Sequence, residues 1–104
     1  MRVGVPKEIK VLENRVGLTP ASVREFVAQG HAVLVEHDAG AGIGLGDDAY
    51  RAAGAHIAPD AKTVFADSEM VVKVKEPQPV ECARLQPGQI LFTYLHLAPD
   101  PAQA

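Results

Sequence analysis

Three side chains in this 104-residue sequence have types and positions suited to chemistry on a small carbonyl acid: Arg15, Lys75 and His96. An arginine offers a planar, two-pronged clamp for a carboxylate. A lysine ammonium polarises a carbonyl oxygen. A histidine, with an unperturbed pKa near ~6.5, exchanges protons at neutral pH. Each of the three follows a short apolar, β-prone run. Arg2–Val5 leads into Lys7, Glu8, Lys10, Glu13, Asn14 and Arg15. Met70–Val74 leads into Lys75-Glu76-Pro77, and Ile90–Leu95 carries Thr93-Tyr94-Leu95 up to His96. In doubly wound sheets, ligands sit in the crevice beyond the carboxyl ends of the strands, so the three groups are placed to share one rim. Each also has a structural use: Arg15 as a solvated or salt-bridged loop residue, Lys75 as the partner of Glu76, His96 as a hydrogen-bonded residue among leucines.

The elements that must position these groups alternate. Arg2–Val5 reads as a strand closed by Pro6, and Lys7–Leu18 as a long loop. Thr19 can cap a helix that Pro20 opens; Val23, Phe26 and Val27 share its apolar face, and Gly30 ends it. Ala32–Glu36 is a strand and Gly40–Gly46 a loop. Asp47 or Asp48 is expected to cap a short helix that Gly54 closes, followed by a short strand over Ala55–Ala58. Asp60 caps a helix through Val64 and Phe65. Met70–Val74 is a buried strand, Pro77 and Pro79 mark a turn, Val80–Leu85 a short helix, Pro87-Gly88 a turn, and Ile90–Leu95 a last strand. Strands separated by helices require crossovers, which give a Rossmann-like α/β parallel sheet with helices on both faces.

Composition narrows the function. Apolar residues make up 47% and net charge is −3, which argues for a folded globular chain. No basic stripe is present, so nucleic acid is not an expected partner. No apolar run approaches the ~20 residues that span a bilayer, and the start lacks a signal-peptide core, so a soluble cytoplasmic protein is expected. Cys82 is the single cysteine; it excludes an internal disulfide and a cysteine metal cluster, and reads as a small helix-face residue. His31, His37 and His56 lack metal-ligand spacing and read as surface or turn residues, so no metal is expected. Gly40-Ala41-Gly42-Ile43-Gly44-Leu45-Gly46 invites a nucleotide reading, yet no register satisfies G-x-G-x-x-G, and no Gly-Lys-Ser/Thr follows. It reads as a loop shaped for backbone packing.

Four segments, in order, resemble the alanine dehydrogenase family. They are Val3-Gly4-Val5-Pro6-Lys7-Glu8 with Glu13–Pro20, Ala39–Gly42 with Tyr50 and Ala53-Gly54-Ala55, Met70–Pro77, and Leu91–Ala98. Leu45 stands where family members often carry phenylalanine. The resemblance implies reversible oxidative deamination of L-alanine to pyruvate and ammonium with NAD as hydride acceptor. Arg15 would then hold the substrate carboxylate, Lys75 would contact the carboxylate or polarise the carbonyl, and His96 would be the general acid/base. The resemblance also implies a homohexamer, and an NAD site mainly in a domain outside this sequence.

The expected organisation is one domain over residues 1–104, the amino-terminal substrate-binding portion. Asp100-Pro101 reads as a helix start four residues before the last residue, so an incomplete domain is expected. A non-catalytic carboxylate-binding or assembly domain, similar to that of the nicotinamide nucleotide transhydrogenase alpha subunit, is the alternative. Tyr94–Leu97 speaks against it, since the transhydrogenase lacks such a stretch.

Overall fold

A computed structural model describes residues 1–9, 15–75 and 78–93. Five strands form one parallel sheet: β1 (Arg2–Val5), β2 (Ala32–Glu36), β3 (His56–Ala58), β4 (Met70–Lys73) and β5 (Ile90–Thr93). The helices between them are α1 (Pro20–Ala28), α2 (Asp47–Ala52), α3 (Ala61–Asp67) and α4 (Pro79–Cys82), with a single 3-10 turn at Ala41–Ile43. The strand order is β3-β2-β1-β4-β5. The chain therefore winds outward from β1 to β3, then returns to the other side of β1. That reversal creates a switch point between β1 and β4, where the connections at the carboxyl ends diverge and leave a crevice.

Local chemistry explains most element boundaries. The Thr19 hydroxyl accepts from the Ser22 amide at 3.4 Å, and Pro20 occupies the first turn of α1, where its missing N–H costs nothing. Gly30, at φ +91°, ends that helix in a conformation that favours glycine. The Asp60 carboxylate accepts from the Thr63 amide at 2.9 Å and caps α3.

Several boundaries differ from the sequence expectation: β3 starts at His56 and not Ala55, β4 ends at Lys73 and not Val74, and two helices differ in their ends. Gly46, not Asp47 or Asp48, is the N-cap of α2; both aspartates lie inside the first turn, where the helix dipole favours negative charge without a capping bond. Pro79 opens α4 and does not close a turn, since its fixed φ suits a first helical position. That helix stops at Cys82, short of Leu85.

The core lies on both sides of the central strands. Val3 and Val5 of β1 and Val33 and Val35 of β2 pack with Val23 of α1 and Tyr50 of α2. On the other face, a Cβ on Gly4 would run into Val64 and Ser68, which places α3 directly against β1. Cover is uneven over β4 and β5. On the α1 side, Leu18, Phe26, Met70, Val72 and Phe92 line an open apolar groove of about 340 Å³. Among the described residues, no helix is long and apolar enough to cross a membrane.

Tyr50 ties the β1–α1 loop to this core. Its side chain is fully buried, and its hydroxyl donates to the Leu18 carbonyl at 2.8 Å. Burial pushes the phenol up to about 12, so it stays a neutral donor throughout the working range. Tyr50→Phe leaves the Leu18 carbonyl without that donor and should destabilise the protein by about 1–2 kcal/mol in urea unfolding. An unchanged midpoint would show that the bond contributes nothing net.

Candidate active-site rim at the sheet switch point

Arg15 reaches the rim because of Gly17. A Cβ at Gly17 would overlap the backbone carbonyl of Val72, so only glycine lets the loop lie flat against the end of β4. Val16 and Leu18, on either side, are buried and anchor the loop. Arg15 itself is exposed.

Arg15 opens onto a cleft of about 320 Å³ that it lines with Val16, Gly17, Thr19, Ser22, Ile43 and Val74. Four segments meet there: the loop after β1, the first turn of α1, the end of β4 and the 3-10 turn after β2, which carries Ile43. Mostly apolar walls with one cationic side chain suit a carboxylate on a small organic ligand. The amino-terminal end of α1, with its positive dipole end, adds to the attraction for an anion.

Lys75 is placed by a buried polar network beneath the rim. β4 ends at Lys73, and the next two amides leave the sheet ladder. Glu8, from the loop after β1, receives both: Val74 N–H donates to Oε2 at 3.0 Å, and Lys75 N–H donates to Oε1 at 3.3 Å. The same Oε1 accepts from Lys73 Nζ at 2.9 Å. Lys73 Nζ also stands 2.9 Å from Oε2 of Glu81, on α4. That contact is an ion pair, and among the described residues Glu81 Oε2 has no aligned hydrogen-bond donor. Glu81 Oε1 accepts the Gln78 amide at 2.9 Å, a capping contact at the start of α4. The side chains of Lys73, Glu8 and Glu81 are 1%, 2% and 1% exposed. Charges this deeply buried persist only when paired and hydrogen-bonded.

The structure thus brings Arg15 and the Lys75 backbone to the same strand-end region, with Val74 as the shared wall. Lys75 is half-buried at the bend after β4. His96 lies outside the described residues, as do Glu76 and Tyr94. Sequence pattern alone does not mark Glu8, Lys73 and Glu81 as site-building residues. One signal was available: a lysine inside the apolar run Met70–Val74 must find a carboxylate if that strand is covered on both faces. Nothing in spacing says which of thirteen acidic residues supplies it.

The glycine-rich segment leads into an acidic helix start. It forms the 3-10 turn and presents Asp47 and Asp48 in the first turn of α2, where a pyrophosphate would meet two carboxylates. Gly40 instead serves packing: a Cβ there would come within 2.6 Å of the Leu45 carbonyl and 2.7 Å of the Tyr50 ring.

Over residues 4–104 the sequence matches the family model described as alanine dehydrogenase/PNT, N-terminal domain. The chain belongs to this family. Among alanine dehydrogenases, it is 56% identical to that of Methanococcus maripaludis over 97% of its length, and 55% identical to that of Bacillus subtilis over 100%. It spans 27% of each, about a quarter of those relatives. Its fold superposes on a solved L-alanine dehydrogenase with TM-score 0.88 at 54% identity, covering 98% of this chain and 28% of that one. The transhydrogenase of Sinorhizobium meliloti superposes at 0.85 with 27% identity, over 91% of this chain and 28% of that one. This alanine dehydrogenase/PNT domain is thus a parallel α/β domain whose similarity to alanine dehydrogenases in sequence is about twice its similarity to the transhydrogenase.

A second cluster borders the cleft loop. His37 Nδ1 is hydrogen-bonded to Asp47 Oδ2 at 2.5 Å, and its Nε2 lies 3.2 Å from Asp38 Oδ2. Asp38 N–H donates to Asp47 Oδ1 at 2.9 Å. His37 is the exposed turn residue that the sequence suggests, but α2 delivers Asp47 to it, a pairing that spacing did not reveal. The three could offer ligand atoms within 4.8 Å of one another, yet both imidazole nitrogens already face carboxylates, an arrangement that favours the protonated ring.

The hydrogen bond to Asp47, aided by the charges of Asp38 and Asp47, raises the His37 pKa above its ordinary 6.5. For Asp47, partial burial opposes charge, but the Asp38 amide and His37 outweigh it and lower the pKa below 3.8. The His37 contribution to stability is therefore complete below 6.5 and lost as pH rises through the higher folded value. The Asp47 contribution is present above 3.8 and lost as pH falls through the lower folded value. Thermal unfolding should show His37→Gln less stable than the parent near pH ~5.5, with the gap closing by about pH 9. A gap independent of pH would rule out the charged pair.

Proposed function

We propose that this domain is the substrate-side part of an NAD-dependent alanine dehydrogenase. The complete enzyme would interconvert L-alanine with pyruvate and ammonium, in the cytoplasm and as a homo-oligomer, the hexamer that the family resemblance implies. The observation that carries the reading is the cleft at the β1–β4 switch point: Arg15 on its wall and the Lys75 bend at its edge, in a sequence some 55% identical to alanine dehydrogenases.

Arg15 binds the substrate carboxylate, and the positive end of α1 supports it. Lys75 contacts the carboxylate or the carbonyl oxygen and draws electron density from the carbonyl carbon. His96 takes and returns the protons of the carbinolamine and imine steps. NAD supplies the hydride acceptor from a separate domain, because its pyrophosphate would meet two carboxylates at the helix start after the glycine-rich segment. Hydride transfer needs the nicotinamide positioned against the substrate, so residues 1–104 alone should not turn over.

The test is NADH absorbance with L-alanine and NAD. The complete enzyme should reduce NAD, and Arg15→Ala should raise KM for pyruvate in the reverse direction by roughly tenfold or more, as lost charge-assisted bonds require. Absence of alanine-dependent NADH formation by the complete enzyme would sink the assignment, and robust turnover by the 104-residue chain would sink the division of labour. His96→Ala should lower kcat by roughly 10²–10⁴-fold if proton transfer is its role. A rate near that of the parent would remove His96 from the mechanism.

A further inference from the structure

We propose that Glu8 is a positioning residue for Lys75, acting through the backbone and without contact with substrate. The inference rests on the function proposed above and adds a residue to its site. Glu8 is 7% exposed overall and belongs to no strand or helix, yet it holds three donors on one carboxylate: Lys73 Nζ and the amides of Val74 and Lys75. Packing alone does not call for this. A buried lysine needs a carboxylate, and Glu81 already stands 2.9 Å from Lys73 Nζ. With Glu81 present, the charge of Lys73 is balanced once. Among the described residues, Glu8 leaves the cluster one negative charge in excess, an arrangement that burial disfavours unless other donors share the load.

The donors that share it are the two amides where β4 gives way to the cleft edge. Those amides lie beyond the pairing of β4 with β1, which ends at Gly4–Val71, and beyond its pairing with β5, which ends at Lys73–Thr93. A carboxylate spanning two consecutive amides fixes the peptide plane between Val74 and Lys75 and therefore the direction in which the chain leaves the sheet. Lys73, held from α4 by Glu81, fixes the carboxylate in turn. Loop, strand end and helix are thus tied at one point directly before Lys75.

Glu8→Gln separates this role from stability. It removes the excess charge and leaves Lys73 paired with Glu81, so the fold is expected to survive. An amide, however, has one acceptor oxygen in place of two and cannot receive both backbone N–H groups and Lys73. Misplacing a catalytic group by an ångström costs on the order of 10²-fold, so in the complete enzyme kcat/KM for pyruvate should fall roughly 10- to 100-fold. KM for NADH should stay within about twofold, because only the pyruvate side is disturbed.

The deciding measurement is the same substitution in a Lys75→Ala background. If Glu8 acts through Lys75, the further loss there should be less than about threefold. A full multiplicative loss in that background would leave Lys75 in the site and overturn the role of Glu8. A Lys75→Ala enzyme with unchanged kcat/KM would remove Lys75 itself, and the positioning role with it. Should Glu8→Gln fail to unfold cooperatively, Glu8→Asp replaces it in the same cycle: it keeps the charge opposite Lys73 but is one methylene short of the two amides. Equal losses for pyruvate and NADH in either variant would mark a merely structural effect and overturn the proposal.

Discussion

A single buried ammonium organises the carboxyl edge of this domain. Lys73 ends a strand whose alternate residues face opposite sides of the sheet, and its Nζ has two carboxylates at 2.9 Å. Taking three charged groups out of water is costly, so each must be matched closely. Glu8 meets that demand from the loop after β1 and Glu81 from α4, which fixes how both segments approach β4. Removing the lysine would leave two carboxylates facing each other without a counter-charge. The cleft above depends on this arrangement, since its wall at Val74 is the residue that follows Lys73.

Close backbone approach is the second constraint. The loop bearing Arg15 lies against the Val72 carbonyl only because Gly17 has no Cβ, and Tyr50 ties the same loop to α2 through the Leu18 carbonyl. Gly40 lets the Tyr50 ring sit beneath the glycine-rich turn. Gly40 serves packing, whereas a Cβ on Gly44 or Gly46 would meet nothing within 4 Å, and the turn brings Ile43 to the cleft. An apolar side chain from β2's loop, a cationic one from β1's loop and a strand end from β4 thereby face one space.

Local rules made much of the fold legible. Thr19-Pro20 and Asp60 mark helix starts because capping is decided within four residues, and Gly30 marks a helix end because a left-handed conformation suits glycine. The expectation missed where two local signals competed. Asp47 and Asp48 are good caps by type, but Gly46 takes the cap, and the aspartates lie inside the first turn, where the helix dipole favours them and Asp47 meets His37. Pro79 reads equally as a turn or as a helix opening, and the Glu81–Gln78 contact resolves it toward the helix.

From the sequence alone follow the alternation of strands and helices, the parallel sheet it entails, and a strand-end position for Arg15 and Lys75. Period, caps and turn residues act over a few positions, so they can be read without coordinates. Tertiary structure alone decided that β1 and β4 are neighbours at the switch point, and hence that residues 8, 73 and 81 meet. It also decided that His37 pairs with Asp47, and that Arg15 and Val74 share one cleft. Those facts join residues that up to 73 positions separate, and long-range pairing depends on how layers stack, which local patterns do not encode.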